Sequence, residues 1–279
     1  MNKKIVMILA AMTAFAAFAD PYTWTGGGTD ATSWNDENNW EPTGVPGGGD
    51  TATFTSAATI ADGIVVSSGE LKIYANGAAV TISGVISGEG SMYFQCANSA
   101  SSKIAIAGAN TYSGGTTVAA YNIDNGKNAQ VHGVWAQNAL AFGSNRAVIH
   151  NGGLVNFECA GATFVYDFIP TGTTHVRYNA FESCTIDGSI TNDVFAKEYF
   201  FSTKNSSART MSVTGKVGGT NASHINVYGY YGNSPVTFGG GILTKEYLRP
   251  STVADGYRYG TFSIDGTLKA GTIQCAYGY

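Results

Sequence analysis

The sequence predicts an all-β protein, specifically a right-handed parallel β-helix, and three observations lead to this fold class. The chain is rich in glycine, with 37 residues, while 12% of its residues are charged, a composition that suits short strands and tight turns. No helical periodicity is found after the first nineteen residues. A triplet of an apolar residue, any residue and glycine recurs at a spacing typical of solenoid repeats.

The recurring triplet gives the predicted period. It occurs at Ile82–Gly84, Ile106–Gly108, Ile186–Gly188, Val213–Gly215, Phe238–Gly240 and Ile264–Gly266, with weaker candidates at Val131–Gly133 and Cys159–Gly161. The spacing is most regular from Ile186 onward, and it predicts coils of about 26 residues, stacked because one coil alone cannot bury its apolar face. An antiparallel β-sandwich is the alternative, since short strands and frequent turns permit it too.

The first nineteen residues have the pattern of a signal peptide, assigned to 1–19. Lys3 and Lys4 precede an apolar run at 5–18, and a cleavage motif of small residues ends at Ala19. We expect cleavage before Asp20. The apolar run is shorter than the roughly 20 residues needed to span a bilayer, so the sequence predicts export without a membrane span.

The charge of the exported chain argues against two classes of partner. Without Lys3 and Lys4 the chain has 13 basic and 19 acidic residues, a net charge of −6. Nucleic acids and anionic lipids are bound by clustered cations. We therefore expect neither nucleic acid nor a membrane surface as a partner.

Residues 20–56 do not follow the period and are predicted to form an N-terminal cap ahead of β-helix repeats at 57–279. They hold three of the four tryptophans, Trp24, Trp34 and Trp40. A cap is needed because the open strand edges of a first coil pair with other chains. The alternative is a carbohydrate-binding face, since flat indole rings stack on sugars.

One segment carries a family resemblance. At 103–118 the sequence KIAIAGANTYSGGTTV sets an alternating strand against a turn, and it resembles the autotransporter-associated β-strand repeat, L-x-G-x-N-T-Y-x-G-G-T-T-V. The matching positions are Ile106, Gly108, Asn110, Thr111, Tyr112, Gly114, Gly115, Thr116, Thr117 and Val118. The resemblance implies a bacterial passenger-type protein at the outer-membrane surface or outside the cell, with the periplasm as an alternative. No translocator barrel of that family is recognisable in the sequence.

Tyrosine is in clear excess, with 16 residues, and five tyrosines near the C-terminus are candidate binding residues. Alternation puts Tyr228 and Tyr230 on one face of a strand, beside Tyr231, and Tyr257 and Tyr259 follow about one coil later. These side chains are predicted either to form an exposed ladder that binds glycans or a partner protein, or to stack and stiffen the solenoid.

No catalytic residues, cofactor or metal site are predicted. The acidic residues form no obvious pair, whereas glycoside hydrolysis needs two carboxyl groups roughly 5–10 Å apart. The histidines are His132, His150, His175 and His224, and they are spread singly. A lone histidine is more often a solvated turn residue than a ligand.

The four cysteines are Cys96, Cys159, Cys184 and Cys275, and export would take them into an oxidising compartment. Cys159 and Cys184 are separated by nearly one predicted period, which places them at nearly equivalent positions on adjacent coils. Cys96 and Cys275 lie too many coils apart to meet. We therefore expect at most one disulfide, between Cys159 and Cys184.

Together with the resemblance, these features predict a structural or adhesive β-solenoid that is secreted or displayed at the cell surface. Its polar and aromatic faces would contact glycans or other cell-surface molecules. The alternative function is that of a polysaccharide-acting lyase or glycoside hydrolase, because parallel β-helices often host such enzymes.

Overall fold

The structure is a computed structural model that describes residues 20–97, 99, 101–120, 132–203, 209–229, 236–250 and 262–273. Apart from one 3-10 turn, Glu37–Asn39, the regular secondary structure of these residues is β-strand. None of them belongs to a helix with the length and apolar character needed to cross a bilayer. The predicted all-β class is confirmed.

The strands are short, and most contain two to six residues. The first nine are β1 (Pro21–Trp24), β2 (Trp40–Glu41), β3 (Thr51–Phe54), β4 (Ala58–Ile60), β5 (Ile64–Val65), β6 (Glu70–Ala75), β7 (Ala79–Ile82), β8 (Ile86–Ser87) and β9 (Ser91–Cys96). The next nine are β10 (Lys103–Ile106), β11 (Thr116–Ala120), β12 (Gly133–Ala136), β13 (Ala147–His150), β14 (Gly153–Phe157), β15 (Ala162–Phe164), β16 (Asp167–Pro170), β17 (Val176–Ala180) and β18 (Cys184–Ile186). The last are β19 (Ile190–Thr191), β20 (Tyr199–Thr203), β21 (Met211–Val213), β22 (Val217–Gly218), β23 (His224–Gly229), β24 (Val236–Phe238), β25 (Ile242–Pro250), β26 (Phe262–Ile264) and β27 (Leu268–Ile273).

These strands stack in parallel ladders. The first ladder is β1, β3, β6, β9, β11, β13, β16, β19, β22, β25 and β27, and the second is β4, β7, β10, β12, β14, β17, β20, β23 and the end of β25. Along the chain, a further short strand can follow a strand of the second ladder and precede the next strand of the first. In the early coils these strands are β5 and β8, which pair with each other. In the later coils they form a third ladder, which consists of β15, β18, β21, β24 and β26. Within the described strands, only β1 and β2 pair antiparallel. The fold is therefore the predicted parallel β-solenoid, and the sandwich alternative is wrong.

The core of the solenoid consists of the inward side chains of successive coils. Ile73, Phe94 and Val118 lie opposite one another in β6, β9 and β11, and all three are fully buried. Burying one side chain of this size contributes roughly 1.5–3 kcal/mol. Their sequence neighbours point to the opposite face of the sheet, because side chains alternate along a strand.

The coils differ in length although the strands stay in register. Asp167 of β16 lies opposite Ala147 of β13 after a short coil, whereas Val148 of β13 lies opposite Thr116 of β11 after a much longer one. Both pairs are regular parallel bridges. The variation in length therefore lies outside the residues paired in these bridges.

The predicted period describes the C-terminal coils and not the others. In the third ladder Met211 lies opposite Cys184, and Val236 lies opposite Met211, so that both steps agree with the prediction. In the first ladder Ser91 already lies opposite Glu70, after a coil several residues shorter. A single period therefore overlooks the shorter N-terminal coils.

The glycine triplets mark corners at which two coils come close together. A Cβ atom at Gly188 would lie 2.0 Å from the carbonyl oxygen of Tyr166 in the preceding coil, so this corner requires glycine. The triplets differ in position, because Ile186 ends a strand of the third ladder while Ile82 and Ile106 end strands of the second. The triplets that define the predicted period therefore come from two different corners of the coil, one after the second ladder and one after the third.

Three tryptophans close the N-terminal end of the core. Trp24, Trp34 and Trp40 are 4%, 1% and 2% exposed. The ring of Trp40 lies 4.8 Å from that of Trp24 and 4.6 Å from that of Trp34, and Trp24 stacks on Phe54 of β3 at 5.6 Å. The indole rings of the predicted cap segment, 20–56, are therefore turned into the core, and its role as a cap stays a prediction.

Asp62 attaches the cap to the coil below it. Its carboxylate accepts hydrogen bonds from the Ser33 hydroxyl, the Trp34 backbone N–H and the Asn35 side chain, at 2.7, 2.6 and 2.7 Å. Burial acts to raise the pKa of Asp62, but these hydrogen bonds outweigh it and the pKa is lowered. The charged carboxylate is therefore the form that holds the cap.

A polar ladder follows the outer face of β14, β17 and β20. Asn156 and Asn179, both fully buried, lie opposite each other, and the amide of Asn179 donates to the side-chain oxygen of Asn156 at 2.7 Å. Asn156 donates in turn to the carbonyl oxygen of His132 at 2.8 Å, and the hydroxyl of Ser202 donates to Asn179. These bonds stabilise polar groups whose burial would otherwise cost free energy.

His150 is a core residue and not the solvated turn residue expected for a lone histidine. It lies at the end of β13, is fully buried, and its ring packs edge-on against Tyr178 at 5.0 Å. Burial lowers the pKa of His150 to about 3, so the side chain is neutral in the folded protein. His132, 4% exposed, is buried as well.

Replacing His150 by phenylalanine is expected to remove a loss of stability in mild acid. Unfolded histidine titrates near about pH 6.5, whereas the folded pKa is about 3, so the unfolded state binds the extra proton between these values. As the pH falls from about 6.5 to about 3, His150 should lower the free energy of unfolding of the wild type by up to about 1.4 kcal/mol per pH unit. Urea unfolding of both proteins at several pH values measures this slope.

The matched control for this experiment is His175→Phe, at a partly exposed position. The control protein should keep the slope, because His150 is still present. A wild-type slope that is unchanged in His150→Phe would contradict the prediction.

The substitution Asp62→Asn is expected to loosen the cap. Hydrogen bonds to a charged group contribute roughly 1.5–3 kcal/mol, and the amide loses that charge. Because three of the four tryptophans lie in the cap, intrinsic fluorescence followed in urea should report its unfolding at a lower urea concentration. Glu89→Gln is the control, since the exposed Glu89 carboxylate makes no hydrogen bond to the described residues. If the two variants unfold with the same urea midpoint, this role of Asp62 is contradicted.

Candidate functional site

Aromatic and polar side chains gather on the outer face of the first ladder, in its N-terminal coils. Lys72 and Tyr74 belong to β6, and Tyr93 and Gln95 belong to β9. All four are partly exposed, because the alternate positions of both strands are buried in the core. We call these four residues the outer-face platform.

The register of the two strands fixes the geometry of the platform. Lys72 lies opposite Tyr93, and Tyr74 lies opposite Gln95. The Nζ atom of Lys72 is 5.2 Å from the ring centroid of Tyr93 and 5.8 Å from that of Tyr74. Both distances fall in the range of cation–π contacts, so the ammonium group lies close to both rings.

The next two coils extend this surface. Thr117 lies opposite Tyr93, and Ile149 lies opposite Thr117. Ile149 is 42% exposed, as are several other large apolar side chains of the described residues. The outer face thus continues from an aromatic area to an apolar one along the axis of the solenoid.

The platform has the chemistry of a sugar-binding surface. Tyrosine rings offer flat apolar faces and a hydroxyl group, while the amide of Gln95 and the ammonium of Lys72 supply hydrogen-bond donors. Such a surface can stack on the apolar side of a sugar ring and donate hydrogen bonds to its hydroxyl groups.

Sequence reasoning missed this platform although a signal was present. The strands 70–75 and 91–96 read ELKIYA and SMYFQC, and both alternate between apolar and polar or aromatic positions. The register step between them is shorter than the predicted period. A search guided by that period does not place Lys72 beside Tyr93.

The predicted tyrosine ladder falls largely outside the described residues. Tyr228 is in β23 opposite Ser202, but its side chain is not among those described. Tyr230, Tyr231 and the later pair, Tyr257 and Tyr259, lie outside the described residues. A ladder formed by these side chains stays a prediction.

The alternative interpretation of the tryptophans, a carbohydrate-binding face, does not agree with the structure. Trp24, Trp34 and Trp40 are buried in the cap, where the Nε1 of Trp40 donates to the carbonyl oxygen of Trp34 at 2.9 Å and the Nε1 of Trp34 donates to that of Pro46 at 3.2 Å. Their rings fill the end of the apolar core and offer no face on which a sugar could stack.

The described residues contain no group of three or more histidine, cysteine or acidic side chains that could hold a metal ion.

Hydrogen bonds from Asn38 and Thr29 hold the pKa of Asp36 at about 2, although burial acts to raise it. Asp62 likewise has a lowered pKa. A general acid needs a raised pKa, so these two carboxylates are unsuited to that role.

Cys159 and Cys184 are free thiols in the structure and do not form the predicted disulfide. The register explains the difference, because Cys184 lies opposite Ala162, which follows Cys159 in the chain, and not opposite Cys159 itself. Burial and, to a smaller extent, the Cys159 thiol raise the pKa of Cys184 to about 12. Cys275, the fourth cysteine, lies outside the described residues.

Comparison with known proteins gives no relative for this chain: no protein-family model, no curated protein and no solved structure matches it.

The buried thiols are expected to resist alkylation in the folded protein. Burial raises the pKa of both Cys96 and Cys184 to about 12, and the thiolate is the reactive form. Iodoacetamide at about pH 8 should leave both unmodified in the native chain and should modify both after unfolding without reductant, as read by peptide mass spectrometry. Modification of native Cys184 would contradict its burial, and resistance of Cys159 and Cys184 after unfolding would show that they form a disulfide.

Proposed function

We propose that this protein is an exported structural or adhesive β-solenoid that binds glycans through the outer-face platform. The observation that carries the proposal is the pair of partly exposed tyrosines, Tyr74 and Tyr93, with the ammonium group of Lys72 close to both rings on the outer face of the sheet. Aromatic rings beside hydrogen-bond donors are suited to sugars.

The rigidity of the surrounding sheet supports this proposal. Residues on the other side of the same strands, among them Ile73 and Phe94, are fully buried, and β6 and β9 are paired over their whole length. The platform side chains are therefore fixed in their spacing before a ligand arrives. A preformed surface loses less entropy on binding than a flexible one.

Export is proposed from the sequence. The segment at 1–19 has basic residues, an apolar run and a cleavage motif in the order of a signal peptide. The resemblance of 103–118 to an autotransporter-associated repeat supports a place at the bacterial surface, outside the cell or in the periplasm. The proposal of an adhesive role depends on this location.

Binding is proposed in preference to catalysis. The platform contains a lysine, two tyrosines and a glutamine, and it has no carboxylate pair of the kind that glycoside hydrolysis requires. Asp36 and Asp62 are committed to hydrogen bonds within the cap region. A polysaccharide-acting enzyme is the competing function, and the experiment that follows distinguishes it.

The chain from Asp20 to Tyr279 is incubated with cellulose, chitin, xylan and mannan, and both depletion of protein and release of reducing ends are measured. We expect depletion by at least one polysaccharide without release of ends. The double variant Tyr74→Ala/Tyr93→Ala should bind at least about tenfold more weakly, because exposed aromatic anchors carry much of the binding energy at such sites. Release of ends would support the enzyme instead.

The matched control is Tyr74→Phe/Tyr93→Phe, which keeps both rings and removes the hydroxyl groups. If stacking drives binding, this variant retains most of the affinity that the alanine variant loses. Far-UV circular dichroism should be unchanged in both, since the side chains point away from the core. Equal affinity of wild type and alanine variant would rule out the platform as the binding site.

A further inference from the structure

The outer face of the first ladder has a second unusual place, in the C-terminal coils. Thr191 of β19 lies opposite Gly218 of β22, and Gly218 lies opposite Leu243 of β25, which is followed by Lys269 of β27. The row of outward side chains is therefore interrupted at Gly218. Two adjoining cavities, of about 260 and 240 Å³, lie here and share Lys216 and Leu243 in their walls.

The backbone of the coils makes this gap a fixed feature. Gly218 has φ +97°, and a Cβ atom there would lie 1.9 Å from the carbonyl oxygen of Leu243. Gly241 in the wall of the larger cavity has φ +89°, and its Cβ would lie 2.3 Å from the carbonyl oxygen of Thr267. Both positions exclude any other residue, so no side chain fills the gap. We call the site formed by Lys216, Gly218, Leu243 and Lys269 the lysine notch.

The larger cavity is positively charged, although the chain as a whole has a net charge of −4. Lys216 and Lys269 both line it, and no acidic residue does. Neither ammonium group has an ion-pair partner among the described residues. Asp193 lines only the smaller cavity, and its Oδ1 atom accepts a hydrogen bond from the backbone N–H of Thr220 at 2.9 Å.

The lining beside the lysines includes an apolar side chain. Leu243 is partly exposed and shared by both cavities. Each cavity is smaller than the roughly 300–1,000 Å³ of sites for drug-sized ligands, so the notch has room for one small ring. Two cations beside an aliphatic wall suit a ring that has one apolar face and one anionic group.

We propose that the lysine notch binds a uronic acid unit of an acidic glycan. Lys216 and Lys269 pair with the sugar carboxylate, and Leu243 contacts the apolar face of the ring. The inference stands on the notch alone and does not rest on the outer-face platform, which contains no residue of this site.

The test uses the chain from Asp20 to Tyr279 and two probes that differ only in the carboxylate, an oligogalacturonate and the neutral galacto-oligosaccharide of equal length. Calorimetric titration should show the oligogalacturonate binding about tenfold or more tightly, and added salt should reduce that preference because it screens exposed charges. The variant Lys216→Gln/Lys269→Gln should lose about tenfold in affinity for the acidic probe, since two ion pairs together contribute about this much.

The matched control is Lys197→Gln, an exposed lysine outside the notch, which should bind the acidic probe as the wild type does. Equal binding of the two probes, or equal loss in the control and in the double variant, overturns the proposal. Competition by acetate or inorganic phosphate at the same concentration as the probe also overturns it, because the site is then a simple anion site. The neutral polysaccharides report on the platform and the oligogalacturonate titration with its lysine variants reports on the notch, so failure of the platform and failure of the notch are read separately.

Discussion

Each coil of this solenoid is hydrogen-bonded in parallel to the next, from the pair Pro21 and Thr51 to the pair Ile242 and Leu268, with a register shift in the last pairing between Thr244 and Tyr247. Parallel pairing places side chains directly above one another and sends alternate residues to opposite faces. Most inward positions are therefore apolar in successive coils, with exceptions such as His150, because each inward side chain packs against those of the coils on both sides. This one arrangement determines the core, the need for a cap and the rows of side chains on the outside.

The outward positions do not have to be apolar, and they carry the features that distinguish one coil from another. On the first ladder the same outward row passes from Lys72 and Tyr93 to Ile149 and then to the gap at Gly218. On the second ladder the outward row is polar and buried at Asn156 and Asn179. The rigid core thus holds chemically different surfaces at fixed distances from one another.

The sequence predicted the fold because alternation and glycine corners are local signals, and both survive in strands of only a few residues. It did not predict the platform, because placing Lys72 beside Tyr93 needs the register of two coils, and coil length varies. The sequence also left open whether the tryptophans bind sugar or fill the core, since a ring that stacks on a sugar and a ring that closes a core have the same local sequence. The burial of His150 could not be predicted either, because its ring packs against Tyr178, which belongs to a later coil.

The unequal coil lengths have a consequence for how such a chain changes over evolutionary time. The short coil from Ala147 to Asp167 and the long coil from Thr116 to Val148 lead to equally regular bridges, so residues gained or lost at a corner leave the strands paired. A side chain substituted inside a strand contacts the coils on both sides, whereas residues inserted at a corner are exposed mainly to solvent. New recognition loops can therefore accumulate at the corners of this protein while selection on the strands keeps the stack unchanged.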